Sequence, residues 1–213
     1  MDFDDFIVLG SKIKNLPLPG AASHYKMAPE IRIKELERGM TKGKNPKKAG
    51  VLALFYPDTR RRTKLLLILR KTYTGVHSNQ IALPGGKLEK EDENIQITAL
   101  RETYEEVGVP PERVEILKPL SQVYIPPSNF EVQPFIGFYH DPLPFVLQVS
   151  EVEALVEVPL NDFLDDRKII TQNLSTSYAK DIAVPAFKLN GYTVWGATAM
   201  MLSEIKELLK QVL

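Results

Sequence analysis

The 213-residue chain contains no cysteine. That excludes disulfides, Cys-ligated zinc, iron–sulfur clusters and thiol catalysis in one step. It suits the cytoplasm, the compartment expected here. Neither sign of charge is in excess, since 27 Lys and Arg face 27 Asp and Glu. A chain without positive excess is a poor general binder of nucleic acid or of a membrane surface, so neither is expected as a partner. Long apolar runs are missing too. Residues 51–56 and 65–69 form strand-sized stretches, far below a membrane span. The run 6–9, with no basic residue before it, is too short for a signal-peptide core. Histidine is scarce: His24, His77 and His140 are scattered and fit no metal-ligand spacing.

What is present reads as one globular unit. Hydrophobic residues make up 44% and charged residues 25% of the chain, near the average for globular proteins. Residues 1–48 read as an N-terminal extension packed on a main domain of residues 49–213. Pro17, Pro19 and Gly20 interrupt the extension, and Pro29 opens a short helix that Gly39 ends. A basic loop carrying Lys42, Lys44, Lys47 and Lys48 follows. In the main domain, strands are expected at 51–56, 64–70, 80–83, 114–123, 132–139, 152–158, 184–189 and 192–194, and helices at 93–107 and 197–213. The link 57–63 reads as a hairpin loop. Strands and helices alternate without regular βαβ spacing, which points to an α/β fold: a central mixed sheet flanked by helices, an α/β/α sandwich. The extension and the last helix offer surfaces for a homodimer contact.

The chemistry concentrates in residues 83–109. At 100° per residue, Ile97, Leu100, Tyr104 and Val107 share one face of the expected helix, and Glu102, Glu105 and Glu106 lie away from it. Three carboxylates within a turn and a half repel one another. A bound cation offsets that repulsion, and carboxylates are hard oxygen ligands suited to Mg²⁺ or Mn²⁺. Gly85 and Gly86, just upstream, allow a tight backbone approach to the same place. From Glu89 to Glu106 there are seven acids and two bases, whereas residues 41–48 and 59–64 carry four positive charges each. The neutral total therefore hides an acidic helix and two basic loops, either of which could meet the phosphates of a substrate.

This stretch resembles the Nudix box, a loop–helix–loop of the form G-x5-E-x7-R-E-U-x-E-E-x-G-U, in which U is a bulky apolar residue. The resemblance implies hydrolysis of a nucleoside diphosphate linked to another group, with Mg²⁺ or Mn²⁺ as cofactor and a small-molecule nucleotide as substrate. Carried over by position, Glu102, Glu105 and Glu106 are the metal-binding glutamates, and Gly86 is the box glycine whose carbonyl joins the site. Glu102 and Glu105 are also expected to act in catalysis, with Arg101 orienting the helix by pairing with an upstream acid. This chain has one residue more than the standard spacing between Gly86 and Arg101. The acid is Asp92 when counted from the glycine and Glu93 when counted from the arginine. Thr103 stands at a usually apolar place.

The longer spacer resembles the coenzyme A pyrophosphatase branch of that family. So do the lead-in from Leu67 to Arg70, the stretch from His77 to Pro84, and Tyr124-Ile125-Pro126-Pro127-Ser128-Asn129-Phe130. Asn79 and Leu83 depart from that branch, which has glycine and phenylalanine there. The resemblance implies cleavage of coenzyme A or acyl-CoA to 3′,5′-ADP and the phosphopantetheine half. ADP-ribose, a nucleotide sugar or an oxidised nucleotide is the alternative substrate. A non-catalytic ligand sensor is the third reading, although sensors commonly lose box glutamates and this chain keeps all three. Glu151 and Glu153, at the start of a late strand, are candidates for the general base. Tyr124, Phe130 and Phe135 are candidates to stack on a base or line an acyl groove, against a plain role in the core.

Overall fold

The computed structural model describes residues 1–37, 45–71, 80–174 and 181–213. The helices are α1 (Phe3–Gly10), α2 (Ala21–Tyr25), α3 (Glu30–Glu37), α4 (Ile95–Val107), α5 (Leu160–Leu164) and α6 (Gly196–Lys210). The strands are β1 (Lys47–Pro57), β2 (Thr63–Arg70), β3 (Ile81–Ala82), β4 (Gly85–Lys87), β5 (Val114–Pro119), β6 (Val123–Ile125), β7 (Phe130–Tyr139), β8 (Val152–Pro159), β9 (Ile169–Leu174), β10 (Ile182–Leu189) and β11 (Tyr192–Val194). Eight strands form the main sheet along the path β3-β2-β1-β7-β5, with β4 added on β1, β6 on β7 and β8 on β2. Only β1 and β7 run parallel among these pairings, so the sheet is mixed. The strands β11-β10-β9 make a second, antiparallel sheet.

Because both faces of the main sheet are covered, β1 and β2 read as near-continuous apolar runs rather than alternating ones. On one face Leu52, Leu54, Leu66 and Ile68 pack against Ala99, Leu100 and Val107 of α4. On the other, Ala53, Phe55, Leu65 and Leu67 join Phe3, Phe6 and Ile13 from the N-terminus and Leu202, Ile205 and Leu209 from α6. Phe6 lies 5.0 Å from Phe55 and 5.6 Å from Phe138 between ring centroids.

Several expectations are revised. The stretch 114–123 is two strands, because Pro119 ends β5 and the chain re-pairs with β7 as β6. The helices α1, α2 and α5 and the strand β9 escape the apolar-period reading, since each spans eight residues or fewer and β9 is mostly exposed. The end of α3 at Gly39, and the loop residues Lys42 and Lys44, lie outside the described residues. No helix among the described residues is long and apolar enough to cross a membrane.

A buried polar hub ties the N-terminal segment to α6. Glu204 is fully buried and accepts hydrogen bonds from the amides of Gly20 (3.0 Å) and Ser121 (3.1 Å) and the Ser121 hydroxyl (2.7 Å). Nε2 of His24 lies 3.2 Å from Oε2, the oxygen that the Ser121 amide also reaches. Burial pushes this carboxyl up, but the hydrogen bonds from His24, Ser121 and Gly20 outweigh it and hold the group below the usual carboxylate range.

Candidate active site

The helix α4 begins at Ile95, two residues later than expected, because Asn94 caps it. The Asn94 side chain accepts from the amides of Gln96 (3.0 Å) and Ile97 (3.1 Å), satisfying two otherwise orphaned donors. Gly108, in the left-handed region at φ 74°, ends it. The helix lies directly on the β1 backbone: a Cβ at Gly50 would stand 2.4 Å from the Ile95 carbonyl oxygen and 3.1 Å from the Ala99 nitrogen. That contact sets the rotation of the helix. The buried stripe runs through Ala99, Leu100, Thr103, Glu106 and Val107, while Ile97 is 38% and Tyr104 54% exposed. The expected apolar face is therefore corrected: Leu100 and Val107 belong to it, but Ile97 and Tyr104 do not. Thr103 is accommodated because its hydroxyl donates to the Ala99 carbonyl at 2.6 Å.

Gly85 and Gly86 form a strand, β4, rather than a free turn. They pair with Val51 and Gly50. Gly85 has φ 144°, and a Cβ there would meet the Gly50 carbonyl oxygen at 2.3 Å, so only glycine fits. A Cβ on Gly86 would stand 2.4 Å from Cδ and Oε2 of Glu102. The bare glycine is thus the cradle in which the Glu102 carboxylate rests.

Of the two upstream acids, Asp92 is the one that pairs with Arg101. Its oxygens accept from Arg101 Nε (2.9 Å) and Nη2 (3.0 Å), from the Thr98 hydroxyl (2.9 Å) and from the Glu89 amide (3.0 Å). The Arg101 hydrogen bonds, supported by Glu89 and Thr98, hold this carboxyl far below the usual range. The same guanidinium reaches Glu102 (3.1 Å), Glu105 (3.0 Å) and the Lys87 carbonyl (3.2 Å). It is a hub joining the spacer, β4 and the acidic helix.

Glu106 is 1% exposed. One oxygen accepts from the Gly85 amide at 2.8 Å, and the other from Arg70 Nη1 at 3.1 Å. Burial pushes its carboxyl up to about 7, with Glu102 and Glu151 adding to the rise and Gly85 and Arg70 opposing it. Burial also raises Glu102, helped by Glu105 and Glu151 and opposed by Arg101. Glu105 remains half exposed.

The pairing of β2 with β8 slips between Leu69 and Arg70, where Arg70 comes opposite Val152. A bulge of this kind re-aims a side chain, here the guanidinium that reaches Glu106. Beyond it, the Lys71 amide donates to the Glu151 carbonyl at 2.7 Å. The charge of Glu151 raises both Glu102 and Glu106, so this acid stands near them. Glu153 instead pairs with Lys71 Nζ at 2.8 Å.

Among the described residues, no three acidic or histidine side chains close on one point tightly enough to form a preassembled metal cluster. The donor set nevertheless suits a divalent cation. It is all hard oxygen, and two of its carboxyls are pushed up by burial and by like charges that a dication neutralises.

The other candidates lie elsewhere. His24 belongs to the Glu204 hub, His140 pairs with Glu115 at 3.1 Å, and His77 lies outside the described residues. Phe135 is core. The basic loop at 59–64 sits seven β1 residues beyond Gly50, roughly 20 Å along the strand. Its Arg61 pairs with Asp4 and its Arg62 with Asp58, so it clasps the N-terminus. The role of Arg70 has no signal in residue type or spacing, since a bulge aims it.

Comparison with known proteins agrees with this geometry. The NUDIX domain pattern matches residues 46–173. The chain is 31% identical over 172 residues to the peroxisomal coenzyme A diphosphatase ndx-8 of Caenorhabditis elegans, covering 80% of this chain and 72% of that protein. It is 31% identical over 163 residues to the chloroplastic Nudix hydrolase 22 of Arabidopsis thaliana, covering 74% of this chain and 53%, about half, of that longer protein. In three dimensions it is similar to the Nudix hydrolase RenU from M. smegmatis, with a TM-score of 0.54 and 17% identity, covering 79% of this chain and 88% of the other. Asp92 locked to Arg101, the three glutamates one turn beyond, and the extended match of sequence together place this chain in the Nudix family, as a pyrophosphohydrolase.

Proposed function

We propose that the protein cleaves the pyrophosphate bond of coenzyme A or its acyl thioesters, releasing 3′,5′-ADP and (acyl-)4′-phosphopantetheine. The observation that carries this reading is the lengthened spacer, whose Asp92 grips Arg101 through two hydrogen bonds. The extra residue is the feature shared with the coenzyme A branch, and similarity to a protein named as a coenzyme A diphosphatase supports the same substrate. We take residues 49–213 as the hydrolase domain and 1–48 as its extension, and the cytoplasm as its compartment.

Pyrophosphate hydrolysis asks for placement and charge neutralisation more than covalent chemistry. In this reading Glu102, Glu105 and Glu106 hold Mg²⁺ or Mn²⁺, with the Gly86 carbonyl as a further donor. A bound cation would neutralise the bridging phosphate oxygens and lower the pKa of the attacking water. Arg101 keeps the acidic helix in register with β4, and Arg70 orients Glu106. Glu151 is the residue we assign to take the water's proton. Its charge reaches both Glu102 and Glu106, whereas Glu153 is held by Lys71.

The test is a substrate panel with product identification. Purified protein with coenzyme A and Mn²⁺ is expected to give 3′,5′-ADP. Turnover of ADP-ribose, a nucleotide sugar or an oxidised nucleotide, with coenzyme A left intact, rejects this substrate.

A further inference from the structure

The last turn of α4 is held from outside by a second stretch of chain. A helix ends in carbonyls that have no partner within it. Gly108 takes one of them, donating to the Tyr104 carbonyl at 2.8 Å. The carbonyls of Val107 and Glu106 accept instead from the amides of Val146 and Gln148, both at 3.0 Å. Residues 145–148 alternate here as a strand would. Phe145 and Leu147 pack on the core beside α4, while Val146 between them is 69% exposed. The fit is close, since a Cβ on Gly108 would stand 2.9 Å from the Val146 Cβ and 3.0 Å from its nitrogen.

Directly after Gln148 the chain turns. The Gln148 carbonyl accepts from the amides of Glu151 and Val152, both at 2.9 Å. Val149, inside that turn, is 72% exposed, so hydrogen bonds rather than burial fix its shape. The Glu151 carbonyl then accepts from the Lys71 amide at 2.7 Å. Arg70, the residue before Lys71, returns to the Glu106 carboxylate at 3.1 Å. Four hydrogen bonds thus close a ring. It runs from the Glu106 main chain through Gln148, Glu151 and the Arg70–Lys71 step back to the Glu106 side chain.

A proton acceptor must stand within hydrogen-bond reach of its water, and a displacement of about 1 Å can cost about 100-fold in rate. We infer that Gln148 is a positioning residue, whose amide and carbonyl carry the register of α4 to the Glu151 main chain and so fix the proton acceptor relative to Glu106. The link is made by main-chain atoms, and the Gln148 side chain is not part of it. The inference rests on the proposed role of Glu151 but not on the identity of the nucleotide.

Steady-state kinetics with Mn²⁺ and the nucleotide turned over fastest in the substrate panel test it. Gln148→Pro deletes the amide that reaches Glu106. It is expected to lower kcat about tenfold or more and to leave KM within about twofold. Gln148→Ala keeps the amide and is expected to recover most of that loss. Added to Glu151→Gln, the proline is expected to cost less than about a further twofold, since a link that works through Glu151 then has nothing left to position. Mn²⁺ affinity by calorimetry is expected to stay within about twofold of wild type, because Gly85 and Arg70 still hold the Glu106 carboxylate. A glycine inserted between Val149 and Ser150 slackens the turn at an exposed place and is expected to act as the proline does. It keeps the test decisive if the proline unfolds the protein. Losses that multiply, a kcat near wild type in both altered chains, or Mn²⁺ affinity that falls in step with kcat overturns the link. If Glu151→Gln itself leaves kcat unchanged, the assignment of the base falls and the link with it. If only coenzyme A is refused, the substrate reading falls and the link stands.

Discussion

Replacing Glu106 by glutamine separates two consequences of burying a carboxylate. The group is ordinarily near 4.5 and is pushed up to about 7 by burial. Between those values the folded protein binds more protons than the unfolded chain, so stability falls as pH rises. It is unaffected by this group below about 4.5 and has lost the whole increment above about 7. The size is ~3 kcal/mol, or roughly 6–12 °C in melting temperature for a chain of this length. The assay is thermal melting from pH 4 to 8 in EDTA, for wild type and Glu106→Gln side by side. Other titrating groups are common to both proteins, so the difference between the curves isolates Glu106. The variant is expected to become relatively more stable as pH rises, while turnover drops at least about 100-fold through loss of a charged ligand. Saturating Mn²⁺ is expected to raise the wild-type melting point and leave the variant nearly unmoved. Parallel curves would refute the argument from burial. Near wild-type turnover in the variant would show that the assigned metal site is wrong.

Gly86→Ala places a methyl on the Glu102 carboxylate, a flexible side-chain end that can yield. The fold is expected to survive by circular dichroism while kcat falls about 100-fold, as a small misplacement at a reacting centre does. Glu151→Gln is expected to lower kcat about 100-fold or more, in line with loss of a general base. Glu153→Gln, at an exposed pair with Lys71, is expected to leave it within about twofold in steady-state assays. Glu204→Ala leaves His24, Ser121 and the Gly20 amide without their partner and is expected to destabilise the protein by ~3–5 kcal/mol in urea unfolding. A loss below about 1 kcal/mol would mean that water replaces the carboxylate.

The site was more legible than its surroundings. Glu102, Glu105 and Glu106 recur at helical spacing beside two glycines, a local pattern that survives in one dimension. Which acid meets Arg101 was not readable, because the extra residue is absorbed before Asn94 and the choice depends on where that cap starts the helix. The buried stripe of α4 was misjudged for a related reason. Apolar period assigned Ile97 and Tyr104 to the core, but the contact with the bare backbone of Gly50 turns the helix so that Thr103 and Glu106 are buried instead. Arg70 and the Glu204 hub depend on a register slip and on contacts across most of the chain, and neither leaves a local trace.

That hub has a temporal side. Gly20 and Glu204 are 184 positions apart. At the usual pace of synthesis, the ribosome needs roughly 10–40 s to travel between them. During that interval Phe3, Phe6 and Ile13 are without the α6 residues that cover them, and His24 is without its polar anchor. The segment from Phe3 to His24 is therefore secured only once α6 has been made, and its apolar residues need shelter for that long.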